Sequence, residues 1–313
     1  LLKSGITANH LETAVLILAL IFSFGQRLKE WKLLGEYEDY EESLYNFMST
    51  LKVVGIVIIM FFIISVITSM IRQVIMYFEL RFYRTPDGFY ISKGLFNKNL
   101  IAVKDEKIQS VLIRQNLLRN WVGMFDFGLQ KIGDSRQMIN VPGMSSDHVS
   151  KTIDILYPSF LERKFVFYPI SRFYFKRLLF IVLTGTVLLI IIGLILGSYF
   201  SLVVIVVASA FIISSFYLKS KKLQFAVDES FVVIMGGKFG TKKKIIPLEK
   251  IQTVGYSDSP YQRRKKLKTL HISDGGGTST VPFIDEDLCV QIREYLIFIM
   301  EKSSRTSIHF NPQ

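Results

Sequence analysis

Cysteine is almost missing from this chain of 313 residues: Cys289 stands alone, which excludes an internal disulfide and a cysteine-rich zinc site. One free thiol fits reducing surroundings for the domain that holds it. The four histidines, His10, His148, His271 and His309, make no HxxxH or HxxE spacing, so no metal centre is expected. The chain has no G-x-S-x-G element, and its one glycine-rich run, "GGGTST" from Gly275, lacks the Gly-Lys-Ser/Thr that a phosphate-binding loop requires. That run reads as a hairpin turn. The acidic stretch "EYEDYEES" from Glu36 lacks the glycine and ligand spacing of a calcium loop and reads as solvated. No enzyme activity and no cofactor are therefore expected. "LLKSGITANH" has neither a charged n-region nor a small-residue cleavage site, and the expectation is a chain that starts inside a longer protein.

Apolar residues are what the sequence has in excess. They make up 50% of it, with a mean hydropathy of +0.35, too apolar for an ordinary soluble chain, yet a charged fraction of 20% is too high for a chain wholly in the membrane. From Leu178 to Leu218 there are 41 consecutive uncharged residues, roughly twice the ~20 that one helix needs to cross a bilayer. Gly197-Ser198 is the natural break, giving spans 178–196 and 200–218. Val53 to Ile71 is a further span, bounded by Lys52 and Arg72. Leu11 to Gly25 is shorter and carries Glu12, so a tilted span competes there with an interfacial helix.

Lysine and arginine mark cytoplasmic flanks. Arg172, Lys176 and Arg177 precede the third span, Lys219, Lys221 and Lys222 follow the fourth, and Arg72, Arg81 and Arg84 follow the second. The connector 26–50 holds three basic residues against six acidic ones, which suits the outer side. Four spans with both large polar regions inside satisfy this pattern.

Sliding the chain against itself by 143 positions lays "EKIQSV" (Glu106 to Val111) on "EKIQTV" (Glu249 to Val254), Gly94 on Gly237 and Phe96 on Phe239. Two polar blocks of about 80 residues are copies of one unit. Each begins with short alternating β-rich runs and ends in an amphipathic helix. Val149, Ile153 and Leu156 line one stripe behind a Ser145 or Ser146 cap, and Leu288, Ile292 and Leu296 line the other behind Asp285. Strands closed by one helix make an α+β plan in which the helix plugs a small curved sheet or barrel.

These features, a membrane hairpin followed by "D-x-F-x-I-x-x-G-x-F" (Asp87 to Phe96), "EKIQxV" and "RQNLLRNWVGMFDF" (Arg114 to Phe127), resemble the bacterial PH-like, membrane-flanked domain family. The doubled arrangement resembles its larger, YdbT-like members. The resemblance covers residues 50 to 300 and implies an integral membrane α+β protein: four transmembrane helices in two hairpins, and two cytoplasmic PH-like β-sandwich or barrel domains, each closed by a C-terminal helix. It implies multi-pass residence in a bacterial inner membrane and assigns no reaction. The expected boundaries are 1–77 for the first hairpin, 78–164 for the first domain, 165–218 for the second hairpin, 219–302 for the second domain and 303–313 for a tail. The second copy departs after its "EKIQTV", where "SDSPYQRRKKLK" replaces the stretch holding Trp121-Val122-Gly123.

Within the repeated motif, Ile108 and Val111, and likewise Ile251 and Val254, are expected to face the core. Gln109 and Gln252 are expected to make a buried or edge hydrogen bond that sets the strand entry, with Glu106 and Glu249 beside them; a shared docking surface is the competing role. From Lys219 to Leu270 there are 13 basic residues against four acidic ones, a balance of +9, whereas Glu79 to Lys164 has 13 against nine. "KKK" (Lys242, Lys243, Lys244) and "RRKK" (Arg263, Arg264, Lys265, Lys266), read as lying on or beside hairpins, are candidate contacts for anionic lipid head groups, against a plain topology signal. Nucleic acid is not expected, because only Tyr256 and Tyr261 accompany these clusters. The expected function is a membrane-anchored binding or scaffold module for anionic lipid or a protein partner, with homo-oligomerisation open. The rival is a component that handles or transports lipids or small amphiphiles. The absence of ionisable residues within the three strong spans favours the former.

Overall fold

The computed structural model describes residues 74–308 apart from 96–97, 134–137 and 196–198, with scattered positions between 56 and 72. Two compact units divide them, one reaching Tyr83 and including Tyr90–Ile101, the other holding Arg84–Phe89 and the chain from Ala102 onward.

The repeat reappears element by element, at an offset of 143 through the first five strands of each copy and of about 140 for the last strand and the closing helix. Strands β2 (Gly88–Lys93), β4 (Ile108–Gln115) and β5 (Met124–Lys131) match β9 (Phe231–Gly236), β11 (Ile251–Ser257) and β12 (Leu267–Asp274). β1 (Arg81–Thr85) and β3 (Asn99–Lys104) match β8 (Gln224–Val227) and β10 (Thr241–Pro247), and β6 (Met138–Ser145) matches β13 (Gly277–Asp285). Gly94 and Gly237 take the same left-handed turn, at φ 117° and 122°. Each copy closes with a helix, α2 (Ser146–Leu156) or α6 (Glu286–Ile308). Ser145 caps α2 by accepting from the His148 N–H, and Asp285 accepts from the Asp287 N–H at the start of α6. Cys289, Ile292 and Leu296 on α6 are buried in one core with Phe225, Val232, Ile246, Leu270, Ile272 and Val281.

The two sandwiches share a sheet. β1-β2-β3 and β11-β12-β13 are three-stranded sheets, but the remaining strands make one seven-stranded sheet in the order β6-β5-β4-β10-β9-β8-β7, where β7 is Tyr168–Pro169. The second layer of the first copy is thus continuous with the first layer of the second, through antiparallel pairing of β4 with β10. A strand paired on both edges and covered on both faces keeps its side chains from water, so its polar members must find hydrogen-bond partners, as Gln109 and Ser110 do. β4, "IQSVLIRQ", is buried at seven of its eight positions.

Among the described residues, two helices are long and apolar enough to cross a membrane, α3 (Phe173–Ile195) and the Val204–Lys222 part of α4 (Tyr199–Lys222). α3 starts five residues before the expected span, taking in an aromatic and basic foot. Its apolar side chains are largely uncovered, with Phe180 72% and Ile195 78% exposed. The two helices meet at a Thr186–Ser209 hydroxyl pair, 2.7 Å apart. The expected span 11–25 lies outside the described residues. So does most of 53–71, whose described positions, among them Ile56, Met60 and Ile67, are helical and exposed.

Candidate functional site

The repeated motif is a 3-10 turn followed by a strand with a bulge. Turns Asp105–Lys107 and Leu248–Lys250 deliver Ile108 and Ile251 into the core, and the pairing register slips directly after each isoleucine, at Gln109 and Gln252. Val111 is fully buried and Val254 packs on the second core, while Glu106 and Glu249 are exposed. The two glutamines part company. Gln109 is buried and its Oε1 accepts from the Gly275 N–H at 3.2 Å, whereas Gln252, expected to bond in the same way, is exposed. The reason is position: β4 has the second copy laid against it, and β11 is the outermost strand of its sheet.

That contact is specific. The Gly133 N–H donates to the Gly275 carbonyl (3.1 Å), Gln130 Nε2 donates to the Gly276 carbonyl, and the Ser110 hydroxyl donates to Gln130 Oε1 (3.0 Å). A Cβ on Gly276 would strike the Gln130 side chain. "GGGTST" is therefore a hairpin turn whose glycines let the second copy approach the first.

The Lys242–Lys244 run is not on a hairpin tip; it lies within β10, in the middle of the seven-stranded sheet. Successive residues of a strand point to opposite faces, so three lysines in a row cannot form one cluster. Lys244 Nζ is 2.9 Å from Asp274 Oδ2 and donates to Ser279 Oγ at 2.8 Å, with only 12% of its side chain and none of Asp274's exposed. Lys243 lies over the Phe160 ring, 5.0 Å from its centre, and burial pushes its pKa down. Lys242 is likewise pushed down, first by burial of its ammonium and then by Arg114, Lys244 and Lys219.

Arg263–Lys266 stands differently. The short helix α5 (Pro260–Arg263) carries a capping box between Ser259 and Gln262, and Gln262 Nε2 ties it to Thr269 Oγ1 at 2.7 Å. The chain then turns through Lys266 at φ 51°, leaving all four cations exposed. Arg263 contacts Asp258 at 2.9 Å. Lys265 Nζ sits 5.1 Å from the centre of the Phe173 ring, the first residue of α3. Phe283 beside it packs edge-on against Tyr174, and its carbonyl accepts from the Ser171 N–H at 2.9 Å. The cationic turn is thereby held at the foot of the apolar helix, next to Arg172, Lys176 and Arg177.

At the matching place in the first copy, helix α1 (Leu117–Val122) ends on Gly123 at φ 67°, which aligns with Lys266. Trp121 takes the position of Arg264 and is 84% exposed, beside exposed Leu117 and Val122. A Cβ on Gly240 would strike the Gln115 carbonyl, so the β9–β10 turn lies directly on the residues that open α1. Lys222 Nζ donates to the Gly240 carbonyl at 2.9 Å, and Phe239 of the same turn stacks on Phe211 inside the apolar part of α4. This second tip went unread as a site. Aligning the copies position by position puts Trp121 opposite Arg264, and that was the available signal. A further basic surface, in the other unit, is an open cleft of about 390 Å³ lined by Arg81, Lys93 and Lys98 among others.

Two copies of a β-sandwich closed by a C-terminal helix, the second entered from an apolar hairpin, define a tandem PH-like protein. The chain belongs to the bacterial PH domain family, whose model matches it twice, at residues 16–159 and 178–297. PH-like domains generally bind lipids or proteins and are typically non-catalytic. No curated protein matches the chain.

Proposed function

We propose that the chain is a non-catalytic, multi-pass membrane protein whose PH-like domains sit on the cytoplasmic side and hold anionic lipid head groups at the second copy's Arg263–Lys266 turn. The observation that carries this is the placement of four exposed cations at the foot of α3, with Lys265 over Phe173. Basic residues beside the cytoplasmic leaflet gain about 1 kcal/mol each from anionic lipid. Trp121 adds support, because it is an exposed tryptophan on a helix that abuts the β9–β10 turn, whose Phe239 stacks on Phe211 of apolar α4. Lys244, Lys243 and Lys242 drop out as a joint lipid site: Lys244 is committed to Asp274, and the three do not share a face. The domain limits 78–164 and 219–302 stay part of this proposal, the two domains being joined through the β4–β10 pair in one sheet.

For the same reason the test uses the full chain. Native mass spectrometry of the detergent-purified protein, titrated with phosphatidylglycerol or phosphatidylcholine, should show preferential retention of the anionic lipid. Replacing Arg263, Arg264, Lys265 and Lys266 by Gln should remove most of that preference. Equal retention by parent and variant would overturn the assignment of this turn.

A further inference from the structure

The internal junction leaves a matched pair of edges that no described strand pairs with. β4 pairs with β10 in the register Gln115–Thr241, Arg114–Lys242, Ile113–Lys243, Leu112–Lys244 and Val111–Ile245. By the 143-residue offset, β4's counterpart is β11 and β10's counterpart is β3. β11 and β3 are the outermost strands of their sheets, and among the described residues neither has a strand on its outer side. Native proteins guard such edges with charge, proline or short length. β11 reads "IQTVGYS", seven residues with neither charge nor proline, and Gln252, Thr253, Tyr256 and Ser257 are exposed. β3 presents Leu100, 66% exposed, between Lys98 and Lys104. Gln252 is the residue whose counterpart Gln109 grips the neighbouring copy's turn, and on the outer copy it grips nothing described.

We infer that the outer edge of β11 takes up β3 of a second copy of this chain, repeating between molecules the junction that already exists within one. The offset fixes the register: Tyr256 lies opposite Leu100, Gly255 opposite Ile101 and Val254 opposite Ala102. A second copy is the occupant that fits because each chain carries one edge of each kind, and the intramolecular β4–β10 pair is the template for joining them. Such a contact is head-to-tail, so copies add in series and either close into a ring or continue. This inference does not depend on lipid binding.

The test uses two differently tagged full-length chains, one carrying Tyr256→Cys and the other Leu100→Cys, co-expressed and oxidised in native membranes. Cys289 is buried and stays silent. The expected result is a disulfide-linked dimer containing both tags. Each variant expressed alone should give none, and pairing Leu100→Cys with Ser257→Cys, whose side chain faces away, should give far less. A Cβ on Gly255 would meet nothing within 4 Å, so Gly255→Lys leaves the fold intact while placing a charge on the edge. Added to the Tyr256→Cys chain, it should cut the yield at least tenfold. Absence of the mixed dimer, a Tyr256→Cys dimer alone, capture of a different protein by Tyr256→Cys, or insensitivity to Gly255→Lys would each overturn the inference.

Discussion

Lysine serves two opposite purposes in the second copy, and the surroundings of each ammonium decide which. Lys244 meets a carboxylate from which water is excluded, and removing one partner of such a pair strands the other charge, at a cost of about 3–5 kcal/mol. Lys244→Met should lower the unfolding free energy of the full chain by that order in a denaturant titration, and adding Asp274→Asn should recover much of the loss. The four-Gln change at Arg263–Lys266 touches only exposed side chains and should shift stability by about 0.5 kcal/mol or less. Equal effects of Lys244→Met and the four-Gln change would refute the division between structural and surface lysines. In the sequence both runs look alike as dense positive charge. They separate only once β10 is known to be a strand in mid-sheet, where side chains alternate between faces.

At the scale of elements, the repeat was legible and its consequence was not. The glycine turns and the "EKIQ" entries follow from the offset of 143 and the closing helices from one of 140, because turn chemistry and amphipathic spacing are local signals. The β4–β10 pairing joins strands far apart in the chain, and no local pattern encodes it. A trace remains in the difference between copies: "SVLIRQ" is apolar enough to be covered on both sides, whereas its counterpart "TVGYSD" has Gly255 where β4 has Leu112. The α1 and α5 tips show the same divergence on a common frame, one ending in Trp121 and the other in four cations. Trp31 and Trp121 are the only tryptophans, so Trp31→Phe leaves Trp121 as the sole reporter. In liposomes containing lipids brominated near the headgroup its fluorescence should be strongly quenched. Emission at the wavelength of a fully hydrated tryptophan, unaffected by bromine, would remove α1 from the bilayer surface.

Across the whole molecule, the proposed function unites an apolar hairpin, a shared sheet and two exposed tips by having the hairpin cross a membrane and the sheet rest against it. Contacts to both helices of the hairpin support this: Lys265 with Phe173 at the foot of α3, and Phe239 with Phe211 in the apolar part of α4. The most direct measurement is the accessibility of a spin label at Arg264→Cys in proteoliposomes, read with a water-soluble and a lipid-soluble relaxant, with and without anionic lipid. The account predicts a label at the headgroup level, partly shielded from the aqueous relaxant, and more shielded when anionic lipid is present. A label equally open to water in both kinds of liposome would contradict it.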